Sequence, residues 1–348
     1  MQILSNADLS HYHTFSLPQS CDYLAEVSSI EELKQLYQHS DYFELPKLIL
    51  GRGSNVLFTE RFEGVVIVNR IMGKQVTESK HDWHLHINAG EDWPSLVLWS
   101  IEQEYSGLEN LALIPGCVGS APIQNIGAYG MELKDVCEYV DVLNLENNQI
   151  ERMTASECQF GYRDSIFKHQ LYQKVVIVAV GLKLAKTWRP NIAYGPLQSF
   201  DPESVTAQQI YQRVSEVRME KLPDPQKVGN AGSFFKNPVL SKAQHDLLKA
   251  KLPNLVSYPT QNGMKIAAGW LIEQCGLKGT VVGGGQVHPK QALVIVNKRQ
   301  ASASDIVQLA VLVRQTVEAE YDVKLEHEVR FIGKYGETSL DEILQVAR

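Results

Sequence analysis

The 348-residue sequence has five cysteines, Cys21, Cys117, Cys137, Cys158 and Cys275, and no Cys-x-x-Cys pair among them. An odd count at wide spacing argues against a disulfide framework and a thiolate metal site, and fits a reducing cytoplasm. The opening residues Met1, Gln2 and Ile3 begin neither a basic n-region nor an apolar h-region, so no signal peptide is expected. The longest apolar run, residues 175–182, is too short to span a bilayer. Basic excess is also missing. The formal net charge is -7, which argues against nucleic acid as a partner of the whole chain. No Gly-Lys-Ser/Thr closes a phosphate loop, and no third glycine or following helix turns Gly51-x-Gly53 into a dinucleotide fingerprint. There is no internal repeat and no low-complexity segment.

What remains is ordinary globular composition, 44% hydrophobic and 21% charged, in a chain longer than one core usually holds. The first half reads as strands and turns. Apolar runs at 47–50, 56–58, 65–68 and 175–180 read as buried strands, and 84–87 alternates as a half-exposed one. Asp92 is the expected N-cap of a helix that carries Pro94 in its first turn. Helices are expected at 208–217, 242–251, 266–275 and 304–321, a strand at 292–296, and a final strand at 323–332 with Glu326, Glu328 and Arg330 on one side. Pro223 and Pro225 mark a domain boundary near 205–220.

Two glycine-rich loops carry the functional signal. Gly51, Gly53, Ser54 and Asn55 lie between two strands, where main-chain amides can converge on a diphosphate, although an ordinary tight turn has the same composition. Residues 107–130 hold Gly107, Gly116, Gly119, Gly127 and Gly130, too many for a helix or strand interior. A bound flavin needs both amides for its pyrophosphate and a thin main-chain wall against its ring; a long structural loop is the plain alternative. Arg163 sits in a short aromatic turn, where an arginine is commonly a structural partner of a carboxylate. Ser233 lies between Gly229, Gly232 and the pair Phe234 and Phe235. Residues 213–242 hold six basic against three acidic residues, a local +3 that suits an anionic substrate or a solvated face. His84 and His86 share a strand face, but nothing completes a metal site, so no metal is expected.

Six stretches in order, 50–58, 107–120, 161–167, 221–225, 229–238 and 328–333, resemble the UDP-N-acetylenolpyruvoylglucosamine reductase family over nearly the whole length. The resemblance implies an α+β fold: a vanillyl-alcohol-oxidase-type FAD-binding module of two subdomains followed by a substrate domain. The first subdomain is expected at 1–70, the second at 71–210 joined by the C-terminal segment 323–348, and the substrate domain at 215–322. It implies bound FAD, held by Gly51, Gly53, Ser54, Asn55, Pro115, Gly116, Gly119, Ser120, Gln124, Asn125, Gly127, Ala128 and Arg330. NADPH is the implied co-substrate. Residues 192–196 match the longer, first type of the family, in which Tyr194 closes over the substrate diphosphate. Lys221, Asn237, Gln291 and Arg218 are the other implied substrate contacts. Arg163, Ser233 and Glu328 fall on the catalytic positions. A monomer is expected.

The implied reaction reduces UDP-N-acetylglucosamine enolpyruvate to UDP-N-acetylmuramate, for peptidoglycan. An enol ether is electron-rich and accepts hydride poorly. Its conjugated carboxylate lets hydride from flavin N5 add at C3 if charge arriving at C2 is stabilised, which suits a fixed Arg163. Glu328 helps if it is protonated or if it orients a donor. Ser233 is a weak acid, but an enolate carbon is a strong base, so it can protonate C2 directly or through a solvent relay. Two other readings stay open: a flavin oxidase on the same module, and a non-catalytic module that binds UDP-sugars.

Overall fold

The computed structural model describes residues 1–346, and among them no helix is long and apolar enough to cross a membrane. The chain divides into two compact units. The first comprises Met1–Asn6, Asp22–Arg52 and Gly64–Glu220; the second comprises Ala7–Cys21, Gly53–Glu63 and the chain from Lys221 onward.

Two sheets build the first unit. A four-stranded sheet has the order Gln2–Asp8, Ser20–Val27, Phe62–Asn69, Lys47–Leu50, and its last two strands run parallel. A five-stranded antiparallel sheet has the order Ile150–Thr154, Cys137–Asn144, Val175–Ala185, Asp82–Asn88, Lys74–Glu78. Helix α1 (Ile30–Gln38) starts at Ser29, whose side chain accepts from Glu32 N, and buries Leu33 and Leu36. These leucines join Val65 and Ile67 of the first sheet and Val176 and Val178 of the second in one core. Helix α2 (Trp93–Glu102) is capped by Asp92 as expected, with Pro94 in its first turn. It buries Trp93, Leu96 and Val97 in a core shared with Leu85, Ile87, Val180 and Leu182. Helix α3 (Ala207–Lys221) runs four residues beyond the expected end and stops two residues before Pro223.

The second unit gathers short sheets around α6. Helices α4 (Lys242–Lys251), α5 (Ala268–Gln274) and α6 (Ala303–Tyr321) fall close to their expected places. Ile306, Leu309, Ala310, Val313 and Val317 of α6 pack with Phe234, Phe235, Leu271, Ile272 and Ile295. The strand Asn230–Ser233 is antiparallel to Val294–Asn297. Helix α7 (Leu340–Val346) closes the described chain.

The final strand differs from expectation. Only Arg330–Ile332 is strand, and it runs parallel to Val56–Phe58 inside the second unit rather than joining the sheet of residues 74–185. Ahead of it, His327 makes a single bridge with Phe235, so 326–328 are extended without belonging to a ladder. Residues 347 and 348 of the expected C-terminal segment lie outside the described residues.

Candidate active site

In the first unit the glycine-rich loop is knitted to its surroundings through main chain. Trp93 N donates to Gly116 O (2.9 Å), Val118 N to Glu91 O (2.9 Å) and Gly119 N to Ala89 O (2.9 Å). A Cβ built on Gly119 would lie 2.6 Å from Ala89 Cβ, so this contact admits only glycine. Ser120 Oγ donates to Cys117 O (2.7 Å) and accepts from Cys117 N (3.2 Å), closing the loop on itself. Cys117 is buried beside Gly51, and burial pushes its thiol up to about 11, which removes it as a nucleophile.

Asn125 links this loop to the turn that bears Arg163. Its Nδ2 donates to Gly161 O (2.9 Å) and Glu132 Oε2 (3.0 Å), and its Oδ1 accepts from Lys134 N (3.0 Å). The Arg163 guanidinium donates through Nη2 to Gly127 O (2.9 Å). Asn125, Tyr129 and Arg163 all hold positive φ, 43°, 48° and 55°. For a tyrosine and an arginine that conformation is strained, and strain of this kind clusters at functional sites.

Arg218 of α3 completes the cationic half. Its Nε is sealed from solvent and has no hydrogen-bond partner among the described residues. Burial depresses its pKa, and the charges acting on it are Tyr129 and the like-charged Arg163. Two neighbouring cations, one with an unfilled buried donor, fit an anionic ligand. Tyr129 meets Tyr194 edge to face, with centroids 6.1 Å apart.

In the second unit Gly53 has φ 58°, and a Cβ there would lie 2.2 Å from Tyr12 O, so conformation and space both demand glycine. Thr14 clamps two site segments. Its N donates to Gly53 O (3.0 Å) and its Oγ1 to Asn230 O (2.6 Å), while Asn230 N donates to Thr14 O (3.0 Å). Asn55 Nδ2 donates to Glu328 O (3.2 Å), and Arg330 N to Asn55 O (3.1 Å). The Arg330 guanidinium itself rests on Glu337, at 2.9 and 3.0 Å.

Ser233 ends its strand next to Gly232, which has φ 73° and no atom within 4 Å of where a Cβ would project. Phe234, the next residue, accepts from Glu328 N (2.8 Å), which brings the Ser233 and Glu328 segments side by side. Asn237 Oδ1 accepts from Ala268 N (2.9 Å) at the start of α5, so its Nδ2 faces elsewhere as a donor. Gln291 N donates to His288 Nδ1 (3.2 Å). Lys221 is exposed at the end of α3.

Thus Arg163 and Arg218 come together in one unit, and Ser233, Glu328, Asn55 and Gly53 in the other. Thr14 and Tyr129 were missed by sequence reasoning, since nothing in their local pattern separates them from core or turn residues. His84 and His86 serve as partners of Glu138 (2.9 Å) and Tyr139 (2.8 Å). Among the described residues no group of three or more side chains could hold a metal.

Comparison with known proteins gives this geometry a context. Residues 21–154 match the family model of an FAD binding domain, and residues 224–332 match the C-terminal domain of UDP-N-acetylenolpyruvoylglucosamine reductase. The UDP-N-acetylenolpyruvoylglucosamine reductase of Vibrio vulnificus is 57% identical over 99% of this chain and 99% of its own. The chain belongs to the UDP-N-acetylenolpyruvoylglucosamine reductase family. A second member of the family, from Vibrio parahaemolyticus, is 58% identical over the same shares. The crystal structure of the Thermus caldophilus family member is 26% identical, covers 95% of this chain and 99% of its own, and superposes with a TM-score of 0.68. The family's fold is therefore this chain's fold: an α+β FAD-binding module with a C-terminal domain.

Proposed function

We propose that this chain reduces UDP-N-acetylglucosamine enolpyruvate to UDP-N-acetylmuramate, with FAD bound and NADPH as co-substrate, in peptidoglycan precursor synthesis. The observation that carries this reading is 57–58% identity to two Vibrio reductases over essentially the full length of each. FAD fits the residues present in the glycine-rich loop, where main chain packs so closely that a Cβ on Gly119 would lie 2.6 Å from Ala89 Cβ.

When bound, FAD supplies the redox chemistry, taking electrons from NADPH and giving hydride to C3 of the enolpyruvyl group. Gly51, Gly53, Ser54, Asn55, Pro115, Gly116, Gly119, Ser120, Gln124, Asn125, Gly127, Ala128 and Arg330 would hold it. Arg163 neutralises the substrate carboxylate as charge builds there, and its bond to Gly127 O limits how far it can swing. Ser233 delivers the proton to C2, with the space beside Gly232 open for ligand. Glu328 orients the donors or, when protonated, becomes one. Tyr194, Lys221, Asn237, Gln291 and Arg218 bind the substrate. The Asn237 amide is already turned with its nitrogen available.

In this reading the FAD-binding module lies within 1–210 and the substrate domain is 215–322, while Ala7–Cys21 and Gly53–Glu63 gather in the same compact unit as the chain from Lys221 onward. We place the protein in the cytoplasm as a monomer.

The test is an anaerobic NADPH titration of the purified yellow protein, followed by substrate. Bleaching that substrate reverses, with slow reoxidation in air, supports the reductase. Fast reoxidation by oxygen indicates an oxidase. A colourless protein that FAD cannot reconstitute indicates a binding module.

A further inference from the structure

Upstream of Tyr194 its segment is held by two adjacent buried residues, Glu109 and Asn110, and downstream Leu197 is fully buried in the core. Trp188 Nε1 donates to Glu109 Oε1 (2.6 Å), while Glu109 Oε2 accepts from Gly107 N (2.7 Å). Asn110 is 1% exposed, and its single Nδ2 donates to two carbonyls, Tyr129 O (2.9 Å) and Asn191 O (2.8 Å). Asn191 returns a bond from its own Nδ2 to Gly130 O (3.1 Å). One amide nitrogen therefore joins the strained Tyr129 turn of the glycine-rich loop to a carbonyl three residues before Tyr194.

On the other side Gln198 Nε2 donates to Ala193 O (2.8 Å) and Leu197 N to Tyr194 O (3.2 Å). A Cβ on Gly130 would meet Tyr194 Cβ at 3.3 Å, so Tyr194 leaves the chain directly above the glycine loop. Beyond it Gly195 has φ 49° and open space around it. Tyr194 itself is 44% exposed.

We infer that Asn110 is a positioning residue for the substrate, acting through Tyr194: it fixes the point from which the Tyr194 ring reaches the ligand. This rests on the reading of Tyr194 as a substrate contact. A buried amide left unmade at both carbonyls loosens the stem without touching ligand. The ring then samples more positions and binds less tightly, because ordering it now falls on the binding step.

The experiment is a double-mutant cycle between Asn110→Ala and Tyr194→Ala. It is read as KM and kcat for the enolpyruvyl substrate and as the calorimetric Kd for UDP-N-acetylmuramate. Asn110→Ala is expected to raise KM and Kd about tenfold, with kcat within about twofold, equivalent to losing one to two hydrogen bonds. In the Tyr194→Ala background the same change is expected to add nothing. If Asn110→Ala does not accumulate as folded protein, Asn110→Ser takes its place in the cycle, since its single hydroxyl donor cannot serve both Tyr129 O and Asn191 O. An equal rise in both backgrounds, or no rise with Tyr194 intact, overturns the inference. If Tyr194→Ala alone leaves KM and Kd unchanged, the reading of Tyr194 fails instead, and the inference falls with it.

Discussion

Asn55 donates its side-chain amide to the main-chain carbonyl of Glu328 across 273 residues of sequence, at 3.2 Å. Arg330 N answers by donating to Asn55 O at 3.1 Å. A loop assigned to the cofactor and a strand entry assigned to catalysis are thus one hydrogen-bonded piece. Asn55→Ala is expected to cost about 1–2 kcal/mol of stability and to lower kcat about tenfold as Glu328 loses its anchor. Denaturant unfolding and steady-state kinetics check this. Loss of flavin with unchanged kcat per bound flavin would restrict Asn55 to cofactor retention.

Arg218 is a buried cation that lies near a second cation, Arg163, as well as Tyr129, and among the described residues its Nε has no hydrogen-bond partner. Arg218→Met is therefore expected to leave the melting temperature unchanged or raise it, while KM for the UDP-linked substrate rises about tenfold or more. A melting temperature several degrees lower with unchanged KM would make Arg218 a structural residue.

His13 gives the fold a sensitivity to acid. It is 3% exposed, with Nε2 donating to Leu17 O (3.2 Å), its ring edge-on to Phe58, and Nδ1 buried without a partner among the described residues. Burial lowers its pKa from 6.5 to about 4. The unfolded chain takes up this proton near pH 6.5 and the folded chain only near 4. Its contribution to stability is therefore full above 6.5, falls by about 1.4 kcal/mol per pH unit below that, and levels off at about 3 kcal/mol lost once pH is under 4. Denaturant midpoints of the native protein and of His13→Gln between pH 7 and 4 test this. The variant should show the flatter profile.

Much of this architecture could be read from the sequence, because burial imposes its own periods. The helix at Lys242–Lys251 was placed at its observed bounds, and α2 begins at the expected cap Asp92. The strand Lys47–Leu50 was found from its apolar run. The final strand is shorter than its pattern implies: alternation at Glu326, Glu328 and Arg330 fits an extended segment whether it makes one bridge at His327 or a full ladder. Periodicity also carries no long-range information. It could not show that Ala7–Cys21 and Gly53–Glu63 gather with the chain beyond Lys221, nor that Thr14 would clamp Gly53 to Asn230. The candidate catalytic residues came from motif resemblance. The residues that hold them in place, Thr14, Asn110 and Asn125 among them, act through main-chain carbonyls, which leave little mark on sequence.

The proposed reaction requires Ser233 to serve the substrate and not the nicotinamide. The direct measurement is anaerobic stopped-flow of Ser233→Ala in two separate half-reactions. NADPH is expected to bleach the flavin at close to the native rate, while reoxidation by the enolpyruvyl substrate slows by roughly a thousandfold or more, the scale of a lost general acid. Equal slowing of both halves, or native-like reoxidation, would contradict it.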